Sequence, residues 1–180
     1  MADNGPTLET ERLILRPLVV EDFDSFAAFC ADPVVMRHLG GVQPRSMAWR
    51  GFTSVAGSWA LQGFGMFSVT ERSSGRWVGR IGPHKPEGWP GTEVGWGLIQ
   101  DVWGNGYAVE AAAASMDFAV DQLGWTEIIH CIDEANTDSQ AVAKRLGSTL
   151  LRLDRLPPPV DVEIDIWGQS ADQWRARRRV

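Results

Sequence analysis

The chain has 180 residues, of which 44% are hydrophobic and 22% charged, and its formal net charge is −6. This length predicts one domain spanning residues 1–180, and the negative charge argues against a general nucleic-acid binder. Because no apolar run is long enough to cross a bilayer and the start lacks a signal-peptide pattern, we expect a cytoplasmic protein without a membrane partner.

The spacing of apolar residues divides the chain into strands and helices. Strands are predicted at residues 13–16, 66–70, 77–81, 93–99, 126–132, 149–153 and 160–166. Helices are predicted at 21–29, 46–61, from a glycine turn to 124, at 137–146, and from a capping box at 170–173. Residues 82–92 form a predicted loop rich in proline and glycine. This order of elements predicts a mixed α/β sheet.

The glycine turn joins the strand at 93–99 to an alanine-rich helix. Gly104 and Gly106 allow the backbone to approach a ligand closely, and free N–H groups at a helix start attract anions. The turn is therefore suited to an oxyanion-rich group such as a pyrophosphate. A plain strand-to-helix turn is the alternative explanation of the same Gly-x-Gly spacing.

Motifs in a fixed order extend this observation over nearly the full length of the chain. They are Leu8-Glu9-Thr10-Glu11-Arg12-Leu13-Ile14-Leu15-Arg16-Pro17, Glu21-Asp22, Asp32-Pro33, Trp77-Val78-Gly79-Arg80-Ile81-Gly82, Glu93-Val94-Gly95-Trp96, Trp103-Gly104-Asn105-Gly106-Tyr107-Ala108-Val109-Glu110-Ala111, Asn136, Ser139 and Leu146-Gly147. Together they resemble the GNAT superfamily of acetyl-CoA-dependent N-acetyltransferases, most of all the branch that acetylates the N-termini of ribosomal proteins. The resemblance implies a mostly antiparallel sheet of about seven strands flanked by helices, with a splayed central strand pair that forms an acyl-CoA cleft.

The resemblance also implies where acetyl-CoA binds. The residues that would contact it are Trp103, Gly104, Asn105, Gly106, Tyr107 and Ala108 for the pyrophosphate, the backbone of Leu98 and Ile99 for the pantetheine arm, and Asn136 for the pantetheine or sulfur region. Asp101 stands where the superfamily often has Gln or Arg, which implies weaker electrostatic support for the phosphates. The second substrate is an amine, no metal is expected, and members of the branch often form homodimers.

Acyl transfer from a thioester to an amine requires a base for the amine proton and stabilisation of the leaving thiolate. Glu93 matches the base proposed for the family, and the alternative is a surface carboxylate beside a loop. His84 is the rival base because histidine titrates near neutrality, and the alternative is a solvated loop histidine. The sequence shows no Ser-His-Asp set or activated cysteine, which favours direct attack in a ternary complex.

The superfamily's usual tyrosine acid is missing, because Ala143 occupies its position. Ser139 matches a serine that the branch places near the sulfur of coenzyme A. The alternative is a first-turn serine that bonds its own helix. Asn136 is a helix N-cap candidate as well as a cofactor residue, and both roles are compatible.

Other residues are expected to be structural or solvated. Cys30 and Cys131 are isolated thiols, which predicts buried, reduced cysteines. Most of the nine tryptophans are expected in the core, and the candidates for an acceptor-site wall are Trp49, Phe52, Trp59, Trp89 and Trp96. A frayed, solvated helix end is expected for Arg175, Arg177, Arg178 and Arg179.

The sequence therefore favours transfer of an acetyl group from acetyl-CoA to a primary amine, such as a protein N-terminus or a small amine. The alternative is a non-catalytic acyl-CoA-binding module, which the missing tyrosine favours and Glu93 and Ser139 oppose. A nucleotide-phosphate binder is disfavoured because no Lys-Ser/Thr pair follows the glycines.

Overall fold

An eight-stranded sheet organises residues 5–178, the part of the chain that the computed structural model describes. The strands are β1 (Leu8–Glu9), β2 (Leu13–Arg16), β3 (Phe67–Glu71), β4 (Trp77–His84), β5 (Glu93–Leu98), β6 (Glu127–Ile132), β7 (Thr149–Arg155) and β8 (Glu163–Ser170). Their order across the sheet is β1-β2-β3-β4-β5-β6-β8-β7, and every neighbouring pair is antiparallel except β5 and β6. The predicted mixed, mostly antiparallel sheet is confirmed, with eight strands instead of about seven.

Five helices cover the two faces of this sheet. They are α1 (Phe23–Ala31), α2 (Arg45–Gln62), α3 (Tyr107–Asp121), α4 (Thr137–Leu146) and α5 (Ala171–Arg177). On the face of α1, a Cβ at Gly97 would lie 2.8 Å from the ring of Phe29, so this glycine lets the helix approach β5 closely. On the opposite face, the small side chains of α3 pack against Val94 and Leu98. None of the described helices is long and apolar enough to cross a membrane.

The parallel strands β5 and β6 separate soon after they meet. Their ladder contains one residue pair, Glu93 with Ile129, supported by a 2.9 Å hydrogen bond from the Ile129 N–H to the Thr92 carbonyl. The antiparallel pairs on the outer sides, β5 with β4 and β6 with β8, continue along the full lengths of β5 and β6. The predicted splay of the central strand pair is therefore present, and it opens toward the C-terminal ends of β5 and β6.

Most element boundaries differ from the sequence prediction by one to four residues, and three differences bear on the sheet. β1 was not predicted because it has only two residues, and β4 continues to His84 into the predicted loop. The last strand runs from Glu163 to Ser170 instead of 160–166. Gln169 near the end of this strand can be buried because its side-chain amide donates to the Leu146 carbonyl at 2.9 Å and to Ser148 Oγ at 3.0 Å.

Two of the C-terminal arginines, Arg177 and Arg178, contact the body of the protein although they remain exposed, so the predicted fraying is wrong for them while the predicted solvation is not. Arg178 forms ion pairs with Asp117 and Asp121 of α3, at 2.5 and 2.7 Å. Arg177 donates to the Arg145 carbonyl at 2.8 Å. Arg179 lies outside the described residues. These contacts attach α5 to α3 and to the end of α4.

Candidate active site

A cavity of about 450 Å³ opens where β5 and β6 separate. Its walls include eight of the residues predicted to bind or process acetyl-CoA: Leu98, Trp103, Gly104, Gly106, Tyr107, Ala108, Asn136 and Ser139. Three other predicted site residues, Glu93, Ile99 and Asn105, are not part of these walls. The volume lies within the usual range of small-molecule sites. Predicted site residues that are up to about forty positions apart in the sequence thus lie together at one end of the split.

The glycine turn leaves the first turn of α3 uncapped and open to the cavity. Gly104 and Gly106 have φ angles of +76° and +81°, which L-residues with side chains rarely adopt. Gly106 is the N-cap and supplies no side-chain hydrogen bond, so the N–H groups of residues 107–109 lack side-chain partners from the cap. A Cβ at Gly104 would meet no atom within 4 Å. The turn therefore has room and donors for an anion.

The N-terminal motif braces this turn from outside. Glu110 accepts hydrogen bonds from the Thr10 hydroxyl at 2.6 Å and from Arg12 Nε at 2.7 Å. Arg12 also donates to the Asn105 carbonyl at 2.9 Å. Burial alone would raise the pKa of Glu110, but these hydrogen bonds outweigh it and hold the pKa below its usual range. The N-terminal motif at residues 8–17 and the glycine-turn motif at 103–111 are thus in direct contact.

The acidic residue before the turn has a basic partner. Asp101 accepts from Arg76 of the β3–β4 hairpin at 2.6 Å, and both side chains are largely exposed. The charge of Asp101 is therefore partly balanced by a neighbour that the sequence does not place beside it. The weaker electrostatic support implied for this position is reduced accordingly.

The free edge of β5 offers backbone groups to the split. The Ile99 N–H donates to the Val78 carbonyl of β4 at 2.9 Å, so it is already used inside the sheet. Backbone groups alternate in direction along a strand, and those of Trp96 and Leu98 consequently face the split. The Leu98 carbonyl accepts from the Trp103 indole at 2.9 Å. Of the two residues predicted to pair with pantetheine, Leu98 has the suitable orientation.

The N-terminus of α4 forms the opposite wall. Asn136 caps this helix, because its side-chain oxygen accepts from the Ser139 N–H at 3.1 Å. The Ser139 hydroxyl accepts from the Trp96 indole at 3.2 Å instead of bonding a carbonyl of its own helix. Since an indole N–H only donates, the serine proton remains available for another acceptor in the cavity. Ala143, at the position of the missing tyrosine, is buried against Ile132 and Trp167.

Glu93 lies at the point where the strands part, below the cavity. Its side chain spans the gap: one oxygen accepts from the Cys131 N–H at 3.0 Å and the other from the Trp89 indole at 2.6 Å. The residue is only 6% exposed. Burial raises the pKa of Glu93, and the two hydrogen bonds oppose that rise. It is not the surface carboxylate of the alternative interpretation.

His130 fills the same gap from the other face of the sheet. Its Nδ1 donates to the Val94 carbonyl at 2.7 Å, and its Nε2 lies 3.0 Å from Ser148 Oγ. Burial lowers the pKa of His130 to about 4, so the ring is neutral at neutral pH. Trp96 packs against this ring with centroids 4.7 Å apart. Two side chains, Glu93 and His130, therefore replace the backbone hydrogen bonds that the split removes.

His84, the rival base in the sequence analysis, lies at the end of β4 and away from the cavity walls. Its ring packs edge-on against Trp89, with centroids 4.8 Å apart. Burial and the nearby Arg80 lower the pKa of His84 to about 4. The interpretation as a freely solvated loop histidine is wrong, since the residue belongs to a strand and is largely covered.

One pair at the cavity, in which His38 lines the wall and Asp133 bonds to its ring, was missed by the sequence analysis. His38, in a short 3-10 turn between α1 and α2, lies 2.9 Å from Asp133 at the end of β6, measured from Nδ1 to the carboxylate. The two residues are 95 positions apart in the chain. The only sequence signal nearby was the Asp32-Pro33 motif, which begins the segment that carries His38.

Comparison with known proteins identifies the family at this point. Residues 12–149 match the acetyltransferase (GNAT) domain family. The chain belongs to this family. An acetyltransferase of Agrobacterium tumefaciens of known structure is 35% identical, with a TM-score of 0.80 over 91% of this chain and 94% of that one. Acetyl transfer is therefore the general class of its reaction.

Two further relatives of this GNAT chain carry more specific names. The "Uncharacterized N-acetyltransferase p20" of Bacillus licheniformis is 27% identical over 136 residues, which cover 74% of this chain and 76% of the relative. RimL, a ribosomal L7/L12 alpha-N-protein acetyltransferase solved with coenzyme A, is 14% identical with a TM-score of 0.75, covering 92% of this chain and 98% of that one. The second likeness concerns the fold alone.

Proposed function

We propose that this GNAT chain transfers an acetyl group from acetyl-CoA to a primary amine by direct attack in a ternary complex. The observation that carries the proposal is the cavity between β5 and β6, onto which the N-termini of two helices, α3 and α4, both open. Helix N-termini favour anions because their free N–H groups and dipoles point toward the ligand. The family and the N-acetyltransferase name of one relative support the same reaction.

The phosphates of acetyl-CoA are assigned to the glycine turn. The backbone of Trp103, Gly104, Gly106, Tyr107 and Ala108 surrounds the open space there, while the Asn105 carbonyl accepts from Arg12 and keeps the turn in shape. Arg37 and Arg145 also line the cavity, and within residues 5–178 neither forms an ion pair with a carboxylate. Their charge complements a phosphate-rich cosubstrate.

The acyl end of the cosubstrate is assigned to the deeper part of the cavity, between Leu98 of β5 and Asn136 of α4. The unpaired edge of β5 supports strand-like pairing with the amide-containing pantetheine arm. The Asn136 amide group stays free for the cosubstrate while its oxygen caps the helix. This assignment orients the thioester toward Ser139.

Ser139 is proposed to stabilise the leaving thiolate. The amine nitrogen attacks the carbonyl carbon, the C–S bond breaks, and negative charge grows on sulfur. The Ser139 hydroxyl has an unused proton to donate, and it sits in the first turn of α4, where the helix dipole favours negative charge. Glu93 as the base stays a prediction, and because it is 6% exposed and lies outside the cavity walls, the amine proton would have to reach it through a water molecule.

Two assays test the proposed function. Calorimetry should show binding of acetyl-CoA and no comparable binding of ATP or NAD. A thiol-detection assay should then show release of coenzyme A when acetyl-CoA is mixed with a panel of amines, including peptides with free N-termini and small amines. Acetyl-CoA binding without thiol release from any amine would support the alternative, a non-catalytic acyl-CoA-binding module, which the replacement of the usual tyrosine by Ala143 favours.

A homodimer is proposed to form through the edge strand β7. This strand ends the sheet, and Leu150, Leu151 and Leu153 on it are 54%, 48% and 62% exposed. Arg152 and Asp154 flank Leu153, so antiparallel pairing of two copies about Leu153 would bring opposite charges together. Sedimentation equilibrium tests this: Leu153→Lys should shift a dimer to monomer, and a wild-type monomer at all concentrations would contradict it.

A further inference from the structure

A histidine–aspartate pair, of which the histidine lines the cavity, connects the segment between α1 and α2 to the end of β6. His38 belongs to the 3-10 turn Val35–His38 between α1 and α2, and Asp133 follows the last residue of β6. Their 2.9 Å contact joins Nδ1 of the imidazole to one carboxylate oxygen. His38 lines the same cavity as Ser139.

The partner of His38 determines which ring nitrogen carries the proton. Asp133 uses its other oxygen to accept from the Ala135 N–H at 2.9 Å. The hydrogen bond from His38, and then that from Ala135, hold the pKa of Asp133 below its usual range, so the carboxylate is ionised and only accepts. Nδ1 must therefore be the donor. In the tautomer whose proton is on Nδ1, the lone pair is on Nε2, which has no hydrogen bond within residues 5–178.

The segment that carries His38 is held in place by buried neighbours. Asp32 accepts from the N–H groups of Val34 and Val35 at 2.8 and 3.2 Å, which fixes the start of the turn. Val35 and Met36 are 6% and 2% exposed, and they anchor the turn in the cluster around α1 and α2. Such an arrangement keeps a side chain in a fixed position without help from a ligand.

The other candidate bases are less accessible from the cavity. Glu93 is 6% exposed, lies outside the cavity walls and accepts one hydrogen bond at each oxygen, and both ring nitrogens of His130 are used inside the core. His84 lies outside the cavity walls. Among the described histidines, His38 is thus the one that lines the cavity and has a ring nitrogen without a hydrogen bond.

We propose that His38 accepts the proton of the attacking amine through Nε2 and that Asp133 is the positioning residue that fixes the required tautomer. This inference rests on the proposed function and names its base. As the N–C bond forms and the C–S bond breaks, one proton of the new ammonium group passes to Nε2 and the thiolate leaves beside Ser139. The imidazolium then returns its proton to solvent. The other charged groups that line the same cavity are Arg37, Asp138 and Arg145.

Two substitutions separate a catalytic from a tethering role. His38→Asn keeps a side-chain N–H at the position of Nδ1 and so keeps the bond to Asp133, but it removes Nε2. Asp133→Asn presents an amide donor to Nδ1, which shifts the ring to the tautomer whose Nε2 carries a proton. Both variants should lower kcat/KM for the amine roughly 100- to 10,000-fold, a range typical of a lost general base. The affinity for acetyl-CoA, measured by calorimetry, should change less than threefold.

The pH dependence of the rate distinguishes the two roles, because a residue that only holds the two segments together would not change it. The rate loss in both variants should shrink as pH rises, because more of the amine is already neutral. A His38→Asn variant with wild-type turnover from neutral to alkaline pH would overturn the inference and leave the proposed function standing. A wild-type protein that binds acetyl-CoA but releases no coenzyme A with any amine would overturn the proposed function and the inference with it.

Discussion

The Glu93 carboxylate accepts a hydrogen bond from the Cys131 N–H at 3.0 Å, across the point where β5 and β6 separate. In a continuous parallel ladder this N–H would bond a backbone carbonyl of β5. Glu93 supplies the missing acceptor, and on the other face His130 supplies the missing donor to Val94. The split that forms the cavity is therefore stabilised by two buried polar side chains.

Glu93→Gln tests this structural role against the predicted catalytic one. A glutamine amide has one acceptor oxygen for two donors, the Cys131 N–H and the Trp89 indole, so one donor loses its partner. An unsatisfied buried donor costs about 1–3 kcal/mol, and urea denaturation should show a loss of this size in the free energy of unfolding. Turnover of the folded variant should fall less than tenfold. A loss of roughly 100-fold or more that shrinks at high pH would assign the base to Glu93.

Ser139→Ala tests the stabilisation of the thiolate. A hydrogen bond that strengthens as sulfur gains charge acts mainly in the transition state, so kcat should fall at least tenfold while KM for acetyl-CoA changes little. Trp96→Phe removes the donor that holds the hydroxyl and should produce a smaller loss of the same kind. Steady-state kinetics with both substrates varied provides the measurement. A lower melting temperature with unchanged kcat would return Ser139 to a structural role.

Gly104→Val tests the phosphate site, with Gly124→Val as a matched control. The two glycines have φ angles of +76° and +69°, and a Cβ at either would meet nothing within 4 Å. Both substitutions should therefore carry a similar backbone cost of about 1–2 kcal/mol. Only position 104 lies in the cavity wall, so only that variant should weaken acetyl-CoA binding by more than tenfold. Equal affinities of the two variants in calorimetry would contradict the assignment of the glycine turn.

His130 predicts a specific pH dependence of stability. Burial lowers its pKa from 6.5 to about 4, so the unfolded chain binds a proton in this range that the folded protein does not. Stability from this residue is complete above pH 6.5 and is lost as pH falls to about 4, by about 3 kcal/mol in total. Urea denaturation of the wild type and of His130→Gln should reveal it, since the variant lacks this proton uptake. Identical slopes of unfolding free energy against pH would show that His130 does not titrate as described.

The sequence predicts the parts of the site that depend on neighbouring residues. Gly104 and Gly106 beside an alanine-rich helix predict the uncapped helix start, and Asn136 followed by Ser139 predicts the cap of α4. Both features are present in the structure. Apolar spacing also predicts most strands, because one buried face requires alternation.

The features that the sequence does not predict are contacts between residues far apart in the chain. His38 and Asp133 meet only because the α1–α2 connection crosses the open end of the split. The burial of Glu93 depends on Trp89 and Cys131, which come from a loop and from another strand. Neither relationship has a local signature, since both require the position of β5 relative to β6.

An isotope label in the acetyl group shows whether the acetyl group passes directly from acetyl-CoA to the amine. The protein is mixed with acetyl-CoA that carries an isotope label in the acetyl group, an amine is added, and the reaction is stopped within one turnover for mass spectrometry of all components. The label should pass from acetyl-CoA to the amine nitrogen, and at no time should it be attached to the protein. Label that remains on acetyl-CoA with every amine, or that accumulates on a protein side chain, would contradict direct acetyl transfer in this cavity.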